Sequence, residues 1–234
     1  MKIAVFGCSW SFGVPVDWHE RTTSDRFKNN IPKEDYVNWT RELGKFRKDF
    51  TIYNYSVPGT CIEFSLAMLE RYLKNPTCDI TIFQATRPYR FTYWKENFIA
   101  DDHLQDYEDN VYQFGESLLD YVTIVNHHND DLRVLDFINF KNRNLENTFI
   151  KNYFKRVSNE MFENRYKTVV NYVKDNTDIF FSHEHHPEIE TSIESVLGTE
   201  KFESFFADEG KHFGHTGAEW QAKWLLDKIN TYRG

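Results

Sequence analysis

Lys2-Ile3-Ala4-Val5-Phe6-Gly7-Cys8-Ser9-Trp10-Ser11-Phe12-Gly13 is the stretch that organises this chain. Ile3 to Phe6 is a short unbroken apolar run, the pattern of a strand buried on both faces. It ends in glycine, small residues and hydroxyls, which neither extend a strand nor build a core. In open α/β sheets the carboxyl ends of the strands are where ligands sit. Ser9 is therefore the first residue to ask about.

The same arrangement recurs downstream. Thr51-Ile52-Tyr53 reads as a strand ending in Asn54-Tyr55-Ser56-Val57-Pro58-Gly59-Thr60. Asp79 to Gln84 reads as a third, ending in Ala85-Thr86-Arg87-Pro88, and Asp178 to Ser182 as a fourth. Apolar residues at helical spacing separate them. Tyr36, Val37, Trp39 and Leu43 mark a helix from Lys33 to about Phe46. Ile62, Leu66, Leu69 and Leu73 mark one from about Cys61, and a stripe from Phe149 to Val173 marks one long helix or two joined ones. A short helix is expected near 189–196, another near 113–126, and a C-terminal one from about Gly217 to Tyr232. Residues 14–32 read as irregular.

Strands alternating with helices predict an α/β fold, a mostly parallel sheet of four to five strands covered on both faces. No linker or composition break divides residues 1–234, so one domain is expected, with an insertion at about 91–150 forming a cap.

The chain has 234 residues, a formal charge of −8 and 21 Phe, 13 Tyr and 6 Trp. That balance gives no electrostatic footprint for nucleic acid or for an anionic membrane. No apolar run reaches the roughly 18 residues of a membrane span, and no secretory signal is visible. Cys8, Cys61 and Cys78 form no paired framework, which suits a reducing compartment. A cytoplasmic protein is expected, with its oligomeric state left open. His183-Glu184-His185-His186 is dense in metal-ligand types but matches no known ligand spacing, so no metal is expected.

Three segments carry the chemistry of a serine hydrolase, which needs a nucleophile, a histidine base, an acid to orient it, and oxyanion donors. Ser9 follows the first strand. Gly59 follows the second, where a missing side chain lets a backbone N–H approach a substrate oxygen. Asp208-Glu209-Gly210-Lys211-His212-Phe213-Gly214 puts a base and two carboxylates in one loop before the last helix.

Gly7-Cys8-Ser9-Trp10-Ser11-Phe12-Gly13 resembles the first block of the SGNH (GDSL-type) hydrolases, G-D-S-x-x-x-G, with Cys8 in the aspartate position. Asn54 to Gly59 resembles their second block, and 208–222 their last, with Glu209 three residues before His212 and Gly217 five after it. The resemblance implies the flavodoxin-like three-layer α/β/α sandwich of that family. It also implies Ser9 as nucleophile and His212 as base, with Glu209 or Asp208 as the orienting acid. The oxyanion hole would be formed by the backbone N–H groups of Ser9 and Gly59. The third block, G-x-N-D, is altered: Thr86 stands in the asparagine position, and Gln84 is the other candidate for that role. Trp10, Arg87 and Arg90 are candidates for substrate binding. The implied reaction is hydrolysis of an acyl or acetyl ester, on a small molecule or a glycan, with no cofactor. A catalytically weakened binding or structural protein on the same fold is the alternative. A phosphate or flavin site at 7–13 is a third reading, disfavoured by the lack of basic residues and of G-x-G-x-x-G in that loop.

Overall fold

Apolar runs too short for helices, each followed by a turn, fold as parallel strands joined by helical crossovers. The computed structural model describes residues 1–15, 36–56, 61–86, 90–94, 121–126, 132–135, 159–206 and 212–233. In chain order the elements are β1 (Lys2–Phe6), α1 (Ser9–Phe12), β2 (Val14–Pro15), β3 (Tyr36–Val37), α2 (Trp39–Phe46) and β4 (Thr51–Asn54). Then come α3 (Ile62–Leu73), β5 (Ile80–Ala85), β6 (Arg90–Trp94), β7 (Tyr121–Asn126), β8 (Leu132–Leu135) and α4 (Asn159–Asp175). The chain closes with β9 (Ile179–Ser182), α5 (Ile193–Leu197), α6 (Thr199–Glu203) and α7 (His215–Arg233).

The main sheet has the order β4-β1-β5-β9, every pair parallel. Its strands alternate between two cores. Ala4, Phe6 and Phe83 pack with Ile62, Leu69, Val170 and Val173 of α3 and α4. Ile3, Val5, Ile82, Ile179 and Phe181 pack on the other face with Trp39, Leu43, Leu225 and Ile229 of α2 and α7. Each Val, Leu, Ile or Phe among them, fully buried, contributes about 1.5–3 kcal/mol. This is an α/β fold with helices on both faces of a parallel sheet.

Asp178 locks the amino end of β9. Its Oδ2 accepts from the Thr81 backbone N–H at 2.7 Å and from the Thr81 hydroxyl at 2.8 Å, while the Tyr232 hydroxyl donates to its Oδ1. The last turn of α7 is thereby tied to the amino end of β9, at one edge of the sheet.

Two expectations are corrected. The helix expected from Lys33 begins at Trp39. Tyr36 and Val37 instead pair antiparallel with Pro15 and Val14, and Asn38, in extended conformation (φ −156°, ψ 157°), caps α2 by accepting from the Arg41 N–H at 2.8 Å. The helix expected near 113–126 is contradicted over 121–126, which form β7, the centre of a separate antiparallel sheet of order β6-β7-β8. Tyr121-Val122-Thr123-Ile124-Val125 is β-branched and aromatic, stiff at χ1 and suited to a pleated surface. The expectations for 16–32, 113–120 and 146–158 lie outside the described residues. Among the described residues no helix is long and apolar enough to cross a membrane.

Candidate active site

The serine loop is held from several sides. Backbone N–H groups of Ser11 and Phe12 both donate to the Cys8 carbonyl at 3.0 Å, so α1 is a single turn with Ser9 as its first residue. Asn54 at the end of β4 donates from Nδ2 to the Ser11 carbonyl at 2.7 Å, and Asn38 Nδ2 donates to the Phe12 carbonyl at 2.5 Å. Gly13 closes the loop at φ +96°, where a Cβ would also fall 2.6 Å from Asn38 Nδ2. No other residue fits there. Because β1 lies between β4 and β5, the crossover direction reverses at this point of the sheet. Ser9 thus sits at the topological switch point, outside the strand ends.

Beneath the loop runs a buried hydrogen-bond chain whose direction follows from one donor. The Trp39 indole N–H, which can only donate, bonds the Ser11 hydroxyl oxygen at 3.1 Å. The Ser11 hydroxyl then donates to Gln84 Oε1. That orients Gln84 Nε2 toward His183 Nδ1, 2.8 Å away, as the donor. Nδ1 is therefore the bare nitrogen, and His183 Nε2–H donates to Gln221 Oε1 at 2.9 Å. Complete burial holds the His183 imidazole neutral, its pKa pushed down to about 3, with nearby His212 adding to the depression and the Gln221 bond opposing it. Ser11 is fully buried and committed at both ends of its hydroxyl, so it is no rival nucleophile. Gln84 is likewise engaged at both ends of its amide: Oε1 accepts from Ser11, and Nε2 reaches both His183 Nδ1 and, at 3.8 Å, the Cys8 sulfur.

Trp10 joins this chain to the last segment. Its ring lies 3.8 Å from the His183 ring and 5.8 Å from the His212 ring, centroid to centroid. Phe206 and Phe213 meet it edge-on at 5.9 and 5.2 Å, and Phe202 stacks at 6.3 Å. The histidine named from the last block therefore packs on the residue directly after Ser9, with its Nδ1 withdrawn from solvent.

Gly217 explains the glycine spacing in physical terms. It lies in α7, and a Cβ there would come within 2.7 Å of Phe213 Cγ and 2.8 Å of Phe205 Cβ. The absent side chain lets Phe213, and with it His212, lie against the helix. Glycine to alanine in a helix interior normally stabilises by about 1 kcal/mol. Gly217→Ala is expected to do the reverse, losing about 1–3 kcal/mol through overpacking, measured as a lower urea midpoint.

Thr86 is buried at the end of β5, its carbonyl accepting from the Tyr166 hydroxyl at 2.6 Å. Burial raises the Tyr166 pKa and keeps that hydroxyl a neutral donor. Arg90 is the first residue of β6. Gly59, Arg87, Asp208 and Glu209 lie outside the described residues. The histidines after β9 diverge: His183 turns inward, His185 Nδ1 lies 3.2 Å from the Ser195 hydroxyl, and His186 Nε2 lies 3.3 Å from Glu163.

Sequence reading passed over Gln221, weighed His183 only as one of a run of metal-ligand types, and weighed Gln84 only as a donor to substrate. One signal was present: Gln84 is a lone amide in the apolar run Ile80 to Ala85, and a buried amide needs partners. No family model matches the chain, and no curated protein matches it.

Proposed function

We propose that the chain is a serine hydrolase on the flavodoxin-like SGNH sandwich, cleaving a carboxylic ester through an acyl-enzyme. Ser9 attacks the ester carbonyl, and His212 takes its proton and passes it to the leaving alcohol. The carbonyl carbon gains the Ser9 oxygen and loses the alkoxide, and water then reverses the bond exchange to release the acid. Backbone N–H groups of Ser9 and Gly59, with the Thr86 hydroxyl, receive the oxyanion; each donor of this kind is worth about 3–4 kcal/mol in the transition state. Trp10, Arg87 and Arg90 serve the substrate side.

The observation that carries this reading is the packing of His212 on Trp10, the residue directly after Ser9 at the switch point of the sheet. The buried chain from Trp39 to Gln221 supports it as a rigid floor, the kind of backing a preorganised site requires. The altered third block favours a second reading, a binding protein on the same framework. A fluorophosphonate probe separates the two: the hydrolase reading expects stoichiometric labelling that Ser9→Ala removes, and a folded but unlabelled protein would overturn it.

The orienting acid is assigned by comparing two variants. Glu209→Ala is expected to slow turnover of p-nitrophenyl acetate at least about tenfold, roughly 1.4 kcal/mol, and Asp208→Ala to slow it less. If neither does so, His212 works without an acid.

A further inference from the structure

His183, the residue directly after β9, is 3 % exposed and fixed at both backbone and ring. Its carbonyl accepts from the Glu194 N–H at 2.9 Å. Its ring is bonded at both nitrogens, to Gln84 of β5 at 2.8 Å and to Gln221 of α7 at 2.9 Å. Turning that ring would break both bonds and leave two buried amides without these partners, a costly state in a low-dielectric interior. The plane of the imidazole is therefore set by three elements of the fold.

That plane lies against Trp10. The two ring centroids are 3.8 Å apart, whereas Phe202, Phe206, His212 and Phe213 stand 5.2–6.3 Å from the same indole. The phenylalanines pack without direction. His183 is itself held by hydrogen bonds, so it fixes the angle of the indole as well as its distance. Trp10 in turn touches both members of the pair proposed to react. Its backbone follows Ser9 in the single turn α1, and its ring packs on His212 at 5.8 Å. A shift of Trp10 moves nucleophile and base relative to each other, and a misplacement of about 1 Å can cost a reaction about 10²-fold.

Resting on the hydrolase reading above, we propose that His183 is a positioning residue for that reaction, acting through Trp10 to set where Ser9 and His212 stand toward each other. It touches neither substrate nor the reacting atoms. Its part is the rigid backing that keeps a reactive geometry within a few tenths of an ångström.

Two substitutions separate the ring from its bonds. His183→Gln keeps an acceptor for Gln84 and a donor for Gln221 but has no ring against Trp10. His183→Phe keeps a ring there and leaves both amides without these partners. A purely structural role makes activity follow the hydrogen bonds, so the phenylalanine variant would be the poorer in both urea midpoint and kcat. The positioning role expects the opposite order for kcat with p-nitrophenyl acetate. His183→Gln loses about tenfold in kcat with KM within about twofold, and His183→Phe loses less despite its lower urea midpoint. The rate of fluorophosphonate labelling is expected to fall in parallel with kcat. In a Trp10→Leu background His183→Gln is expected to cost nothing further, and a further fall would overturn the route through Trp10. Should His183→Phe fail to fold, the split between kcat and KM in His183→Gln decides. Wild-type kcat in that variant, or a loss confined to KM, would overturn the positioning role, and labelling of the wild-type chain would leave the hydrolase reading standing. A wild-type chain with neither labelling nor ester turnover would overturn the two together.

Discussion

Ser9→Ala is expected to lower kcat/KM for a p-nitrophenyl ester by about 10⁴-fold or more, with an unchanged far-ultraviolet circular dichroism spectrum. The size of the effect follows from the role. Without the nucleophile the oxyanion donors and His212 can still assist water, but the acyl-enzyme is lost. The loop around Ser9 is held independently of that residue, by Asn54 on the Ser11 carbonyl, Asn38 on the Phe12 carbonyl, and the rings around Trp10. Removing one hydroxyl therefore should not displace the backbone. Ser11 provides the control. Its hydroxyl is buried between Trp39 and Gln84, so Ser11→Ala is expected to reduce stability rather than to abolish labelling. Labelling that persists in Ser9→Ala would place the nucleophile elsewhere.

The second large effect is on stability against pH, and it comes from His183. In the folded chain its pKa is pushed down to about 3, against an ordinary value of 6.5. Above pH 6.5 neither folded nor unfolded His183 carries a proton, and the burial has no pH-dependent cost. Below it the unfolded chain takes up a proton that the folded one refuses. Stability then declines by about 1.4 kcal/mol per pH unit, approaching roughly 4 kcal/mol near pH 3.5. His183→Gln has no group that titrates there. Urea denaturation at pH 7.5 and pH 5 should show a loss about 2 kcal/mol larger in the wild type than in the variant. Equal losses would mean that His183 is protonated in the folded protein. The direction of the buried chain, from the Trp39 donor to the Gln221 acceptor, would then be wrong.

The elements most legible in the sequence were those specified by neighbours along the chain. The run Ile3 to Phe6 and the buried run Ile80 to Ala85 are short, apolar and followed by turns, and both are parallel strands. The stripe Ile62, Leu69 of α3 was equally plain. Tyr36 and Val37 misled because Tyr36, three positions ahead of Trp39 and seven ahead of Leu43, fits a helical period with Val37 beside it. What removes them from the helix is a pairing with Val14 and Pro15, more than twenty positions away, and the Asn38 cap. Tyr121 to Asn126 misled in the same way, since strand identity there rests on pairing with β6 and β8.

For the candidate site the division is similar. Residue types and spacing singled out Ser9 and His212, because a hydroxyl and a histidine in glycine-containing loops are local features, while Thr86 was named only through the resemblance to the SGNH third block. Gly217 could be named from spacing, but its reason, the 2.7 Å approach of Phe213, is a tertiary one. The roles of Gln84, His183 and Gln221 were not legible at all. His183 lies 99 positions from Gln84 and 38 from Gln221, and a hydrogen bond over 3 Å says nothing to the residues beside it in the chain. Hydrophobic period and turn chemistry act within a few residues, and so they are written into the sequence as strands, helices and loops. Side-chain partners across a sheet depend on strand order and register, and here only the order β4-β1-β5-β9 brings the serine loop, the buried amide and the two histidines to one end.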